Sequence, residues 1–144
     1  MSDQTESRIR IAAAPAVVMA VIADLEAYPQ WAEGVAAVEL LEVYEDGLPA
    51  TILMTIDSAP IKDTVTLEYT WFGDDHVDWV LVKGGTVTRN DGTYQLTDND
   101  DGTTTVAYRL VVDISIPMIG MIKRRAEKII VDTALKGLKK RVEG

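Results

Sequence analysis

Few residues in this chain have the chemistry for bond making or proton transfer, and their types narrow what it can do. His76 is the single histidine and cysteine is absent. The common zinc sites draw on several His or Cys ligands, so they cannot be assembled, and a serine–histidine–acid triad would rest on His76 alone. That histidine follows Asp74 and Asp75 in a Gly-containing stretch that reads as an exposed turn. Asp98, Asp100 and Asp101 resemble a calcium loop only superficially, because no Glu follows at the required spacing, and they read as a solvated hairpin loop. Gly84-Gly85 lacks the Gly-Lys-Ser/Thr of a phosphate loop and reads as a turn. The chain is therefore expected to hold no metal and no cofactor.

Acid–base work inside an apolar pocket would need an ionisable side chain whose pKa desolvation could tune. The candidates are Asp57, Glu68, Arg89, Asp91, Arg109 and Arg125. Alternation turns Glu68 and Arg109 outward, as a cross-strand surface pair would be. Asp57 and Arg89 fall at strand ends, within reach of a cavity mouth, and Arg125 projects from a helix beside its apolar stripe. These three are the candidate catalytic residues. Far more numerous are apolar and aromatic side chains on one face: Tyr69, Trp71, Trp79, Tyr94 and Tyr108 all alternate with polar neighbours, and Met54, Met118 and Met121 add flexible thioethers. That set suits a flat or greasy ligand, although the same residues would also fill an ordinary core.

The elements that must position these residues can be read in order. Ser7 to Ala12 alternates like a strand, and Pro15 opens a helix carrying Val17, Val18, Val21, Ile22 and Leu25 at helical spacing. Tyr28-Pro29 stops it, and Trp31 follows on a short turn or second helix that Gly34 ends. From Ala36 the pattern is strand-like, with a bulge or face switch near Leu41 and Val43. Further strands run from Ala50 to Asp57, from Thr64 to Trp71 and through Val77, Trp79 and Leu81. Thr86 to Thr97 is weaker and interrupted at Asn90-Asp91-Gly92, and the last strand covers Val106 to Asp113. Tight turns between successive strands demand antiparallel pairing.

The sheet needs a cover, and the stretch from Pro117 to Val142 supplies it. Met118, Ile122, Ala126, Ile130, Ala134, Leu138 and Val142 recur every fourth residue, widened by Ile119, Ile129, Val131 and Leu135. With proline in its first turn it predicts a helix roughly 35–40 Å long, whose stripe winds as it advances. The expected architecture is α+β: a strongly bent antiparallel sheet of about six to seven strands gripping one helix, with residues 1–144 forming one domain.

Composition sets the outer bounds. No apolar run approaches membrane-spanning length and the start, MSDQTESR, lacks a signal-peptide core, so a cytoplasmic protein is expected. A net charge of −9 disfavours nucleic acid as a partner. Charge is uneven: the terminal helix holds eight of the fourteen Lys and Arg residues against Glu127, Asp132 and Glu143, so it is about +5 and the remainder about −14. The charges of this helix read first as a solvated face beside an acidic sheet, and the sharper reading is peripheral contact with an anionic membrane or an acidic protein.

Several stretches carry a family resemblance. IAAAPAVVMAVIADLEAYPQW, NDGTYQLTDNDDGTTTVAYRL and the proline-led terminal helix are similar to the START-like, or SRPBCC, superfamily, most specifically at Asp24-Leu25, Tyr28-Pro29 and Trp31. The resemblance implies a helix-grip fold with a cavity between helix and sheet for a small hydrophobic ligand, such as a lipid, a quinone or a polyketide-like compound. Residues expected to line it are Trp31, Ile52, Met54, Ile56, Leu67, Tyr69, Trp71, Trp79, Tyr94, Tyr108, Met118, Met121, Ile122 and Ile129. With an inward set almost wholly apolar, a binder is expected before an enzyme. A polyketide cyclase or dehydratase, and an interaction module like the ribosome-associated toxins of the superfamily, are the alternatives.

Overall fold

Alternating apolar and polar side chains, punctuated by turn residues, produce seven strands in the computed structural model, which describes residues 4–58, 61–117 and 119–144. They are β1 (Thr5–Ile11), β2 (Val35–Val43), β3 (Pro49–Ser58), β4 (Ile61–Phe72), β5 (His76–Lys83), β6 (Val87–Asp98) and β7 (Thr104–Ile114). The order across the sheet is β1-β7-β6-β5-β4-β3-β2, and every pair is antiparallel. β1 and β2 are neighbours among the strands in sequence yet lie at opposite edges, because two helical pieces run between them. These are α1 (Pro15–Ala23), with proline at its start, and a 3-10 helix (Leu25–Gln30). The stop expected at Tyr28-Pro29 comes earlier, and Pro29 sits inside the 3-10 helix. In β2 the register shifts between Leu40 and Glu42 and again before Val43, where the change of face was expected.

Two expectations for the sheet need correction. β6 runs unbroken through Asn90-Asp91-Gly92, and Gly92 is there to make room: a Cβ on it would lie 2.1 Å from Cζ2 of Trp79 on the neighbouring strand. A glycine that resembles a turn signal is a slot for an indole. Arg109 also pairs elsewhere than supposed. Its Nε donates to Glu6 at 2.8 Å across β1–β7, whereas Glu68 lies opposite Thr51 and Val80 on other strands.

The covering helix, α2 (Gly120–Glu143), starts three residues after Pro117 rather than around it. Ser115 still donates to the carbonyl of Thr86 at 2.7 Å, so the chain is tied to the sheet edge until shortly before Pro117. Its buried residues are Glu127, Val131, Leu135 and Leu138, spaced by four, four and three; the last three belong to the expected apolar stripe, and Glu127 does not. They pack on β1 and β7 and meet α1, while the 3-10 helix lies against β2. Gly137 permits the close approach, since a Cβ there would be 2.8 Å from the carbonyl oxygen of Trp31.

Glu127 is a buried acid, 2% exposed, in a helix whose charges read as a solvated face. Its carboxylate accepts from Thr5 Oγ1 and from the backbone N–H of Val112, both at 2.8 Å, with Lys123 Nζ at 3.9 Å. It therefore pins the helix to β1 and β7, satisfied on both oxygens.

Candidate functional site

The register of β4 to β7 brings the aromatics together. Tyr69 pairs with Trp79, Trp79 with Gly92, and Tyr94 with Tyr108, so alternate inward positions on four successive strands fall side by side. Trp79 is the hub. Its ring centroid lies 5.5 Å from Tyr69, 5.4 Å from Tyr94 and 5.6 Å from Tyr108, and the last two are 4.6 Å apart. The indole is held by its slot at Gly92 and by Nε1, which donates to buried Asn90 Oδ1 at 3.2 Å. Ring packing of this kind adds to plain burial and fixes orientation.

Over this cluster lies a cavity of about 320 Å³, at the small end of the usual range for ligand pockets of about 300–1,000 Å³. Met54, Ile56 and Leu67 extend its floor, Ile129, Ile130, Thr133 and Ala134 of α2 close one side, and Tyr28 with Ala32 to Val35 closes the other. Glu33, Asp57 and Ser58 supply charge and polarity; the first two are exposed and so belong to its mouth. Nearby, Asp63 accepts backbone N–H groups from Gly85, Thr86 and Val87, each at 2.9 Å, which fixes the β5–β6 turn beneath the cavity wall at Val87. Burial pushes the Asp63 carboxyl up, but donors from Val87, Thr64, Gly85 and Thr86 outweigh it and leave the pKa below 3.8.

Four phenols face or border the space. Tyr28 is already engaged, donating to the carbonyl of Ile22 at 2.6 Å. The hydroxyls of Tyr69, Tyr94 and Tyr108 make no hydrogen bond among the described residues. Burial raises the pKa of all four, with neighbouring phenols adding to the shift at Tyr28, Tyr69 and Tyr94. They stay neutral, so they can donate hydrogen bonds but are poor bases and poorer acids than free phenol. No lysine, arginine or histidine is among the described residues that line the cavity.

Of the residues expected to line the cavity, Met54, Ile56, Leu67, Tyr69, Trp79, Tyr94, Tyr108 and Ile129 do so. Ile52 is fully buried in the core instead. Trp71 stacks on Tyr69 at 5.6 Å, but its Nε1 donates to the carbonyl of Pro49 at 2.7 Å, which draws the indole to the start of β3, away from the Asp57–Ser58 end that borders the cavity. Trp31 packs on Tyr28 at 4.8 Å, behind the wall. Met121 and Ile122 point to solvent, 69% and 52% exposed, because the first turns of α2 extend beyond the sheet-facing contacts. Met118 lies outside the described residues.

Of the catalytic candidates only Asp57 reaches the cavity, at its mouth. Arg89 is exposed and its Nε donates to Asp91 at 2.7 Å, and Arg125 is exposed on α2. His76 is less exposed than expected: it stacks on Phe72 at 4.2 Å and its Nδ1 lies 2.6 Å from Asp75, away from the cavity.

The lining residues that sequence reasoning passed over had signals of other kinds. Tyr28 read as a helix stop and Asn90 as a turn. Ile130 and Ala134 belonged to the helical stripe, but Thr133 beside them was polar and went unremarked.

A bent antiparallel sheet, closed by a long C-terminal helix over an aromatic cavity, defines the START-like helix-grip class. The chain belongs to the family described as polyketide cyclase / dehydrase and lipid transport, whose sequence pattern matches residues 3–143. No curated protein matches the chain in sequence. Among solved structures, a START superfamily protein from Mycobacterium smegmatis superposes with a TM-score of 0.91 at 19% identity, over 99% of this chain and 98% of that one. A Thermus thermophilus protein gives 0.81 at 22% identity, over 98% and 97%. The Zhui aromatase/cyclase of a Streptomyces species gives 0.77 at 16% identity, over 98% and 93%. At these identities the likeness is one of fold, and chemistry has to be argued from the site.

Proposed function

We propose that this protein binds and carries a compact, flat, oxygen-bearing hydrophobic molecule, of the quinone or polyketide-like kind, in the cavity under α2. The observation that carries the reading is the set of three neutral phenols, Tyr69, Tyr94 and Tyr108, with no protein partner among the described residues, on the wall of an aromatic cavity. Their oxygens open onto the cavity and are not sealed in the core, so a ligand carbonyl or ether oxygen can accept from them in place of water. Rings of Trp79, Tyr94 and Tyr108 offer faces and edges to a planar ligand. A cavity of about 320 Å³ is small for a two-chain lipid and suited to a single ring system.

Carriage rather than turnover is supported by the make-up of the lining, whose charged side chains among the described residues are Glu33 and Asp57, both acids at the mouth. The family description also includes cyclases and dehydrases, and Asp57 at the mouth keeps that second reading open to test. A short-tailed quinone and an unsubstituted polycyclic hydrocarbon, titrated against the chain by tryptophan fluorescence, separate the contributions. Replacing Tyr94 and Tyr108 by Phe should weaken the quinone by about threefold to tenfold per hydroxyl and leave the hydrocarbon unchanged. A wild-type chain that binds neither probe would sink the carrier reading. Turnover of a poly-ketone substrate that Asp57→Asn abolishes would replace it by the cyclase.

A further inference from the structure

The cavity accounts for the inner face of α2, but the outer part of its first half is unexplained. Ile116, Ile119, Met121, Ile122 and Ile129 are 65%, 65%, 69%, 52% and 57% exposed, five large apolar side chains within fourteen residues. Solvated helices rarely present such a cluster, and contiguous exposed apolar surface marks a contact site. Ile122 and Ile129 are seven residues apart, so they project within about 20° of one another on the helix. Ile129 also lines the cavity, so the exposed apolar strip continues out of the cavity along the helix.

Charge beside the strip is of one sign. Arg124 and Arg125 are exposed and make no ion pair among the described residues, whereas Lys123 is bound to Asp113 at 2.7 Å and Lys128 to Asp132 at 3.2 Å. Two unengaged guanidinium groups flank the apolar cluster in a chain whose net charge is −9. They match an anionic partner surface, and the form of the strip says which kind. These side chains, all more than half exposed, stand out from the start of α2 and the residues leading into it as a raised strip with no recess for a protein anchor, and pairing with a second copy through the same face would oppose like charges. An anionic bilayer accepts both features, since apolar side chains enter the acyl boundary while arginines meet lipid phosphates.

We propose that the first turns of α2 and the residues leading into them form a docking face for anionic membrane, which places the cavity mouth at the head-group level. Ligand exchange with the bilayer would rest on the carrier reading; docking itself does not. The acidic groups at the mouth, Glu33 and Asp57, lie off this helix and limit insertion to the α2 side.

Co-sedimentation of the full chain with phosphatidylcholine vesicles, with and without phosphatidylglycerol, tests the proposal. Binding should require the anionic lipid and weaken with salt. Arg124→Glu with Arg125→Glu should lower affinity by roughly 25-fold or more, given about fivefold per basic residue, and Ile119→Asp with Ile122→Asp should abolish it. Lys136→Glu with Lys140→Glu, the same charge change on the far half of α2, should have a much smaller effect. Circular dichroism and the tryptophan titration check that each variant keeps its fold and cavity. Three results would overturn the proposal: no binding to anionic vesicles, equal loss from the two charge-reversal pairs, or self-association in lipid-free buffer that Ile122→Asp dissolves. Loss of probe binding in a chain that still sediments with vesicles would remove the carrier and leave the docking face.

Discussion

The two ends of the space between α2 and the sheet are built by different means. At one end α1 and the second half of α2 meet β1, β6 and β7, and Ile11, Val18, Ile22, Val131 and Leu138 are all wholly removed from water. Aliphatic side chains interlock there, and the hydrogen bonds lie around their margin, from Thr104 Oγ1 to the carbonyl of Ala13 and from Lys139 Nζ to that of Arg10. At the other end the wall is aromatic, a cavity of about 320 Å³ remains, and the neighbouring helix surface is in solvent. Hydrogen bonds made by the wall's own side chains hold it: Trp79 donates to Asn90, Trp71 to the carbonyl of Pro49 and Tyr44 to that of Tyr69, while Asp63 accepts from the β5–β6 turn. Dispersion stabilises only what is filled, so a fold that leaves room for a ligand must fix the edges of that room by directional bonds. Close packing is concentrated at the first end and open space at the second.

The sharpest way to break this contrast is to truncate one apolar residue on each half of α2. Leu138→Ala opens a void among fully buried neighbours and should cost about 2–5 kcal/mol in urea denaturation. Ile122→Ala, on a side chain 52% exposed, should stay within about 0.5 kcal/mol. Comparable losses would mean that the first half of the helix is as packed as the second, and the division between the ends would be wrong.

A smaller effect is expected where the aromatic wall depends on one missing side chain. Gly92→Ala places a methyl group 2.1 Å from the Trp79 indole, which must move or push β6 away. Overpacking of this kind costs about 1–3 kcal/mol, and here it should also change the near-ultraviolet circular dichroism of Trp79 and weaken any cavity ligand. A variant with altered stability but an unchanged tryptophan signal would show that the slot does not position the indole.

The same contrast explains what the sequence revealed. Long-period features were legible: strand alternation, the order of elements and the helix that covers the sheet all follow from apolar spacing, because burying one face is a global demand on the chain. Positions governed by a single close contact were not. Gly92 read as a turn because nothing local distinguishes a turn glycine from one that admits an indole. Glu127 read as surface charge because its partners, Thr5 and the Val112 N–H, belong to strands β1 and β7. Trp71 alternates like a lining residue and Trp31 belongs to the stretch that carries the family resemblance, yet contacts with the Pro49 carbonyl and with Tyr28 turn them away from the cavity. Ile122, with Met121 beside it, fits an apolar stripe whose spacing cannot show where the sheet beneath it ends.

The smallest expected effect concerns pH at the hydrogen-bonded end. Asp63 has its pKa lowered below 3.8 in the fold by backbone donors that outweigh its burial. Its contribution is therefore present at neutral pH, above the unfolded value, and is lost as pH falls through the folded-state value. Amide protons of Gly85, Thr86 and Val87 should exchange faster, relative to their intrinsic rates, as the medium is acidified through that range, while those of β1 and β7 at the filled end keep their protection. Asp63→Asn should produce the unprotected state at neutral pH, with exchange at those three amides raised by about threefold to tenfold and little change in the overall unfolding midpoint. Uniform loss of protection across both ends would show that the turn unfolds only with the whole molecule, and that the two ends form one cooperative unit despite their different construction.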